Sequence, residues 1–171
     1  MSYWPIVAPV PFPVISTADM ALGLSTISAV AWPTANKAFY FGISLPQPVI
    51  ATKVWWLNGA TVGTDSVDVG VYSADGTRII SGGGTVTSGA STTQMVDITD
   101  TMIPAGAIYL AMSMNGTTDT TFRAQGPTTV FQHKFLPVYH QTTAYVLPAT
   151  ALPLPQNSCV TMIGASRVKG T

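Results

Sequence analysis

The sequence predicts an all-β protein, an antiparallel β-sandwich or jelly roll with extended, proline-rich N- and C-terminal arms. The first observation is compositional: only 8% of the 171 residues are charged and all seven acidic residues are Asp, whereas exposed helix faces are usually rich in Glu and Lys. The second is the presence of 15 Gly and 13 Pro, which interrupt the chain throughout. The third is a two-residue alternation of apolar and polar side chains between these interruptions, which is the period of a half-buried strand.

The clearest predicted element is a hairpin at residues 64–84. Val67, Val69 and Val71 alternate with polar or small residues, so one face of the first strand is apolar. Asp75-Gly76 supplies the turn, because Gly adopts positive φ at little cost and the Asp side chain can bond to the local backbone.

Further strands are predicted on both sides of this hairpin, separated by Pro or Asn-Gly turn signals and by a glycine-rich loop or edge segment at 81–92. The predicted strands cover 37–45, 49–59, 93–100, 107–116 and a return strand at 117–126. The side chains expected to face the core are Phe39, Phe41, Val67, Val69, Val71, Leu110 and Met112.

The chain divides into three predicted parts: an extended apolar arm (1–33), the β-sandwich (34–126), and a C-terminal region (127–171). The C-terminal region combines a strand around 142–147 with a proline-rich extended segment, and residues 18–30 have room for one helical turn.

The N-terminal arm is rich in large apolar residues and carries no charge before Asp19, which favours contact with another surface over exposure to solvent. Packing on its own domain is the alternative. The arm residues expected to contact a partner are Tyr3, Trp4, Pro5, Phe12, Pro148 and Pro153.

The sequence does not indicate a catalytic site or a cofactor. His133, His140 and Cys159 are too widely spaced for a typical zinc site, although a Cys–His pair formed by the fold stays open. No nucleophile elbow or phosphate-binding loop motif occurs. We therefore expect a protein that is not an enzyme and needs no metal or cofactor.

Calcium is the second metal to consider, because Asp65, Asp68 and Asp75 lie close in sequence and carboxylate oxygens are its usual ligands. However, Asp68 alternates with valines in a strand, and the turn already explains Asp75. The pattern therefore favours structural roles for these residues.

Other classes of ligand have weak signals. The seven basic residues are scattered, so we expect no nucleic-acid binding, and the most apolar run (20–32) is broken by hydroxyls and shorter than the roughly 20 residues that cross a bilayer. Trp55 and Trp56 would offer stacking surfaces to a glycan, but neighbouring strand residues face opposite ways, so at least one should lie in the core.

Composition also favours assembly. The formal net charge is zero and 47% of the residues are hydrophobic, so electrostatic repulsion would do little to keep copies apart. Solubilisation by Ser and Thr hydroxyls is the alternative.

Four short motifs follow one another along the chain. They are Val-Asp-Val-Gly-Val-Tyr at 67–72, Asp-Gly with Arg two residues on at 75–78, Val-Asp-Ile-Thr-Asp at 96–100, and Pro-Ala-Gly at 104–106 before Tyr-Leu-Ala at 109–111. With them, residues 35–125 resemble a β-sandwich domain of small structural proteins of tailed bacteriophages. The resemblance implies a capsid decoration (head auxiliary or cement) protein that is assembled in the host cytoplasm and located in the virion. The implied partners are the major capsid protein or other virion proteins, and the apolar arms add copies of the chain itself, expected as a trimer. A tail or fibre module that recognises host glycans is the alternative.

Overall fold

The computed structural model describes residues 14–16, 26–125, 138–151, 154–155, 160–161 and 163–166. Within these ranges all regular structure is β-strand and every strand pairing is antiparallel, which confirms the predicted fold class. In chain order the strands are β1 (Val14–Ser16), β2 (Thr26–Ala31), β3 (Lys37–Leu45), β4 (Val49–Leu57), β5 (Ser66–Ser73), β6 (Arg78–Ser81), β7 (Thr85–Val86), β8 (Thr93–Ile103), β9 (Gly106–Met114), β10 (Thr120–Gln125), β11 (Val138–Gln141), β12 (Leu154–Pro155), β13 (Val160–Thr161) and β14 (Ile163–Ser166).

These strands form three sheets. Sheet A has the order β1-β14-β4-β8, and sheet B has the order β13-β10-β2. Sheet C has the order β12-β11-β3-β9-β5-β6, with β7 also paired to β5. The chain therefore crosses between sheets at several of its turns, as expected of a sandwich.

The main core lies between sheets A and C. Sheet A contributes alternate residues of β4, such as Val54 and Trp56, and sheet C contributes the apolar faces of β3, β5 and β9. All seven side chains predicted to face inward are at most 1% exposed, so this part of the prediction is confirmed. Burying each such side chain contributes about 1.5–3 kcal/mol before entropic costs.

The predicted hairpin is also confirmed. β5 and β6 pair antiparallel, and the N–H of Ser73 donates to the carbonyl of Thr77 across the turn (2.9 Å). Gly76 has φ of 87°, the left-handed conformation for which a glycine was predicted.

Two local predictions were wrong, and the helical turn for which residues 18–30 have room stays a prediction, because residues 17–25 lie outside the described ranges. Residues 26–31 form β2, which completes a six-residue ladder with β10. For the same reason β10 is not the return strand of β9; it pairs with β2 and β13 in another sheet. The strand predicted around residues 142–147 lies instead at Val138–Gln141, and residues 142–147 are irregular. Ala144 and Leu147, three positions apart, are both buried, whereas a strand would point them to opposite faces.

Strands also lie within both predicted arms. β1 pairs with β14, and β14 pairs with β4, so short segments from the two ends of the chain are neighbours in sheet A. Trp32, the last residue before Pro33, is 1% exposed, and its Nε1–H donates to the carbonyl of Lys37 (2.9 Å).

Candidate functional site

The outer face of sheet A carries exposed apolar side chains. Because Val54 and Trp56 point into the core, the residue between them, Trp55, points outward, where its cross-strand partner is Met95. Further along the same two strands, Ile50 lies opposite Met102. Met102 is 69% exposed, Met95 51% and Ile50 42%, while Trp55 is half-buried. We call these two pairs the sheet A face.

An ion pair separates the two apolar pairs. Lys53 Nζ on β4 contacts Asp97 Oδ1 on β8, its cross-strand partner. Only 10% of the lysine side chain is exposed, against 81% of the aspartate side chain. Because one partner is so exposed, this pair adds little to stability. It gives the sheet A face a polar centre without net charge.

The same surface includes the end of a sheet. β8 is the last strand of sheet A, and in the described ranges β4 is its only partner. Its pairing with β4 is regular from Thr93 to Asp97 and resumes at Thr101 after a bulge. Among the described strands, none pairs with the side of this stretch that faces away from β4.

The opposite face of the sandwich is covered by residues 142–151, which we call the strap. Ala144, Leu147 and Ala151 of the strap form a second apolar cluster on the outer face of sheet C with Tyr40 and Tyr72. The strap is held by backbone contacts, in which Ala151 N–H donates to the Gly76 carbonyl (2.8 Å) and Ala144 N–H donates to the Asn36 carbonyl (2.7 Å).

The side chains of Asp68 and Arg78 hold both backbone polar groups of one strap residue, Leu147. The N–H of Leu147 donates to Asp68 Oδ2 (3.0 Å), and the Leu147 carbonyl accepts a hydrogen bond from Arg78 Nη1. Burial raises the pKa of Asp68 to about 6, against the lowering effects of the Leu147 N–H and the Arg78 guanidinium. Asp68 is thus a buried carboxyl that titrates close to neutral pH.

Two tyrosine hydroxyls complete this polar layer. Tyr72 Oη donates to the carbonyl of Pro148 (2.6 Å), and Tyr40 Oη donates to Gln141 Oε1 (3.0 Å). Burial raises the pKa of Tyr40 to about 12 and raises that of Tyr72 as well. Both hydroxyls therefore stay protonated and act as donors.

At one end of the sandwich, two aspartates lock the connecting loops together. Asp119 Oδ2 accepts hydrogen bonds from the N–H of Thr64 (2.9 Å), the N–H of Asp65 (2.7 Å) and the hydroxyl of Thr87. In return, Asp65 Oδ2 accepts from the N–H groups of Thr118 (2.7 Å) and Asp119 (2.8 Å). Burial acts to raise the pKa of Asp119, but these hydrogen bonds outweigh it and lower the pKa. The arrangement is a structural clamp.

Most residues predicted to contact a partner cannot be placed. Tyr3, Trp4, Pro5, Phe12 and Pro153 lie outside the described residues. Pro148 is half-buried in the strap, where its carbonyl accepts the Tyr72 hydrogen bond. The partner contacts of all six residues stay a prediction.

The two tryptophans have different surroundings, as the alternation of strand residues required. Trp56 is 1% exposed and its Nε1–H donates to Asn58 Oδ1 (2.7 Å), so it belongs to the core. Trp55 lies on the sheet A face, half-buried. Both are at least half covered, and Trp55 is the one with a surface that a ligand can reach.

The three aspartates considered for calcium serve separate parts of the fold. Asp65 belongs to the loop clamp, Asp68 holds the strap, and Asp75 accepts hydrogen bonds from Ser73 Oγ and the Thr77 N–H inside its turn. Among the residues that the structure describes, no three His, Cys, Asp or Glu side chains are grouped closely enough to hold a metal ion. His140 lies on β11, half-buried, and His133 and Cys159 are outside the described ranges.

No helix in the described part of the chain has the length and apolarity needed to cross a membrane.

The sequence analysis did not predict the strap, the loop clamp or the sheet A face. The only local signal was the position of Asp68 within a run of valines.

The chain has a structural likeness to a viral protein and no match among sequences. No family model matches the sequence, and no curated protein matches it. The fold is similar to a chain in the crystal structure of the infectious bursal disease virus VP2 subviral particle, with a TM-score of 0.33 and 12% sequence identity. The match covers 97% of this chain and 44% of the viral chain. A likeness of this size does not identify a shared function.

Proposed function

We propose that this protein is a structural protein of a tailed-phage virion, a capsid decoration protein that attaches to the particle through the sheet A face. One observation carries the proposal. Five large apolar side chains are strongly exposed in the described part of the chain, and three of them, Ile50, Met95 and Met102, share this one face. Clustering of this kind marks surfaces that contact other proteins.

The chemistry of the face suits a protein partner. Methionine side chains adapt to irregular surfaces, and the neighbouring half-buried Trp55 offers aromatic area at low entropic cost. The Lys53–Asp97 pair supplies polar groups that can fix the register of a partner without net charge. A small β-sandwich with a contact face of this kind is well suited to binding an assembled lattice from outside.

The proposed partners are other copies of this chain, arranged as a trimer, and the major capsid protein. The low charge of the sequence supports both, since contacts with neighbours would cover apolar surface that repulsion does not protect. Assembly takes place in the host cytoplasm, and the mature location is the virion.

The attachment is tested with the variant Met102→Lys. Placing a charge in an apolar contact without a partner is costly, so we expect occupancy on purified particles to fall roughly tenfold or more. Val86→Lys is the matched control, because Val86 is an exposed apolar residue on β7, outside sheet A. Occupancy is measured by quantitative gel analysis and electron microscopy of decorated particles. Full occupancy of a folded Met102→Lys protein would refute this attachment surface.

The second candidate function is recognition of a host glycan by a tail or fibre module. The observation in its favour is that Trp55 lies on the outer face next to the polar Lys53–Asp97 pair. A glycan-array signal that disappears in Trp55→Ala, while Met102→Lys still decorates particles, would favour this function over the first.

A further inference from the structure

The four prolines of the N-terminal segment all occupy odd-numbered positions: 5, 9, 11 and 13. In an extended strand the N–H and C=O of a residue point to one side, and those of the next residue to the other. All four missing N–H groups would therefore fall on the same edge, and the other edge would keep every hydrogen-bonding group.

Such a segment is suited to being the last strand of a sheet. Proline is tolerated on edge strands when its nitrogen faces solvent. The even residues, Trp4, Ile6 and Ala8, would direct their backbone groups toward a partner strand and present an apolar row on one face. The proline edge would then prevent a further strand from joining.

The described structure offers an acceptor that matches this segment. β8 is an edge strand of sheet A, and its regular stretch, Thr93–Asp97, is five residues long. At its centre Met95 points outward and is 51% exposed. A strand added here would cover Met95 with an apolar side chain and continue the sheet beyond β8.

We propose that residues 4–8 of a neighbouring copy of this chain add to β8 along Thr93–Asp97 and form the subunit contact of the oligomer. The inference rests on the proposed function in one respect only, since it names the self-contact expected of a decoration protein. Its acceptor is the β8 edge near Met95, and it therefore confines attachment to the particle to the part of the sheet A face that contains Ile50 and Met102.

The position of β1 favours a neighbouring copy as the donor. β1 lies at the opposite edge of sheet A, three strand spacings or roughly 14 Å from β8. It runs parallel to β4, and Val14 is in the same cross-strand row as Ser166 and Lys53. The N-terminal segment therefore joins sheet A at the edge farthest from β8 of the same chain.

Charge disfavours the other self-contact that β8 offers. Direct pairing of β8 with β8 of a second copy would bring Asp97 and Asp100 of both strands together, and the strand carries no basic residue. The N-terminal segment has no charged side chain. Because the donor and the acceptor are different surfaces, the contact is head-to-tail and can close into a ring.

A pair of proline substitutions tests the hydrogen-bonding edge in the full-length chain. Ala8→Pro removes an N–H from the edge that faces β8, so we expect the dissociation constant of the oligomer to rise roughly tenfold to a hundredfold. Val7→Pro removes an N–H from the edge that already carries the prolines, and should change it less than about threefold. Sedimentation velocity and light scattering measure both. A monomeric wild type, or equal effects of the two prolines, would overturn the proposal.

Complementation tests whether the segment crosses between chains. Ala8→Pro has a defective segment and an intact acceptor, and Met95→Lys has the reverse. At a concentration above the dissociation constant of the wild type but below those of the two variants, each variant alone should be mostly monomeric, whereas their mixture should form a heterodimer through the remaining intact contact. Hydrogen exchange should show protection of residues 93–97 in the Ala8→Pro chain of that mixture. Absence of a heterodimer, with residues 93–97 protected in the isolated wild-type monomer, would mean that the segment binds its own chain.

The two proposals fail separately. Met102→Lys lies beyond the bulge and should leave the oligomer intact while particle occupancy falls. An oligomer that forms as expected but does not bind particles would refute the decoration function alone. Particle binding by a chain that stays monomeric would refute the strand addition alone.

Discussion

Asp68 is the residue whose environment departs most from its sequence context. It lies in a valine-rich strand, yet it is fully buried beneath the strap, opposite Ser113 across the β5–β9 pair. Oδ1 has no partner with hydrogen-bond geometry in the described residues, and neither has the Ser113 hydroxyl, although Ser81 and Gly83 lie close enough to favour the ionised carboxylate. The titratable groups around it are Arg78, whose charge favours ionisation of Asp68, and Tyr72, whose phenol is neutral.

This environment makes stability depend on pH in a defined direction. The pKa of Asp68 is raised from 3.8 to about 6, so the folded state retains a proton that the unfolded chain releases. The favourable contribution of protonation is complete below pH 3.8 and is lost as pH rises through 6. We expect Asp68→Asn to remove this loss. The free energy of unfolding of the variant minus that of the wild type should therefore be larger at pH 7.5 than at low pH, by up to about 3 kcal/mol.

Urea denaturation at pH 5.0 and 7.5 measures the part of this effect that falls between those two values, about 1.4 kcal/mol. Asp75→Asn is the control, because hydrogen bonds from Ser73 and Thr77 lower the pKa of Asp75 and place its titration below this window. A wild type and an Asp68→Asn variant with the same dependence on pH would show that Asp68 does not titrate near 6.

At the scale of elements, the outer face of sheet C is covered by an irregular segment, the strap, instead of by a further strand or a helix. It covers the outer face of sheet C, and its contacts with β5, β6 and the turn between them come mainly from backbone groups. Leu147 is its main apolar anchor: it is 1% exposed and packs against Gly70, where an added Cβ would lie 3.0 Å from Leu147 Cδ1. The small residue on β5 therefore makes room for the strap.

We expect Leu147→Ala to destabilise the protein by about 2–4 kcal/mol, because it leaves a cavity over sheet C. Val146→Ala is the matched control: Val146 is the neighbouring residue and is 46% exposed, so its truncation should cost under about 0.5 kcal/mol. Thermal denaturation followed by circular dichroism compares the two. Equal losses would mean that the strap is not anchored through Leu147.

At the scale of the whole molecule, one core joins sheets A and C, and the loop clamp fastens the connections at one end. Val69 is at the centre of this core and is 1% exposed. Sheet A has one face in this core, and its outer face carries the exposed side chains of Ile50, Met95 and Met102. Stability and assembly therefore depend on opposite sides of the same strands.

We expect Val69→Asp to abolish soluble folding, because an unpaired carboxylate would replace an apolar side chain in the main core. Val86→Asp is the matched control, since Val86 on β7 is 53% exposed. Soluble yield and far-UV circular dichroism report the outcome. A folded, soluble Val69→Asp protein would show that the interior of the sandwich has been assigned wrongly.

The alternation of side chains was sufficient to predict the fold class, the bounds of β3 and the inward faces of β5 and β9, because a two-residue period is a local property of the chain. It was not sufficient to predict the partner of β10, the clamp between Asp65 and Asp119, or the strap. Tyr40, Tyr72 and Ser113 alternate with core residues and so have the pattern of a solvent-facing side, yet each is fully buried. What covers them is a segment distant in sequence, and only the tertiary structure decides such coverage, because the pairing of distant segments depends on the complementary shape of two surfaces that no local period encodes.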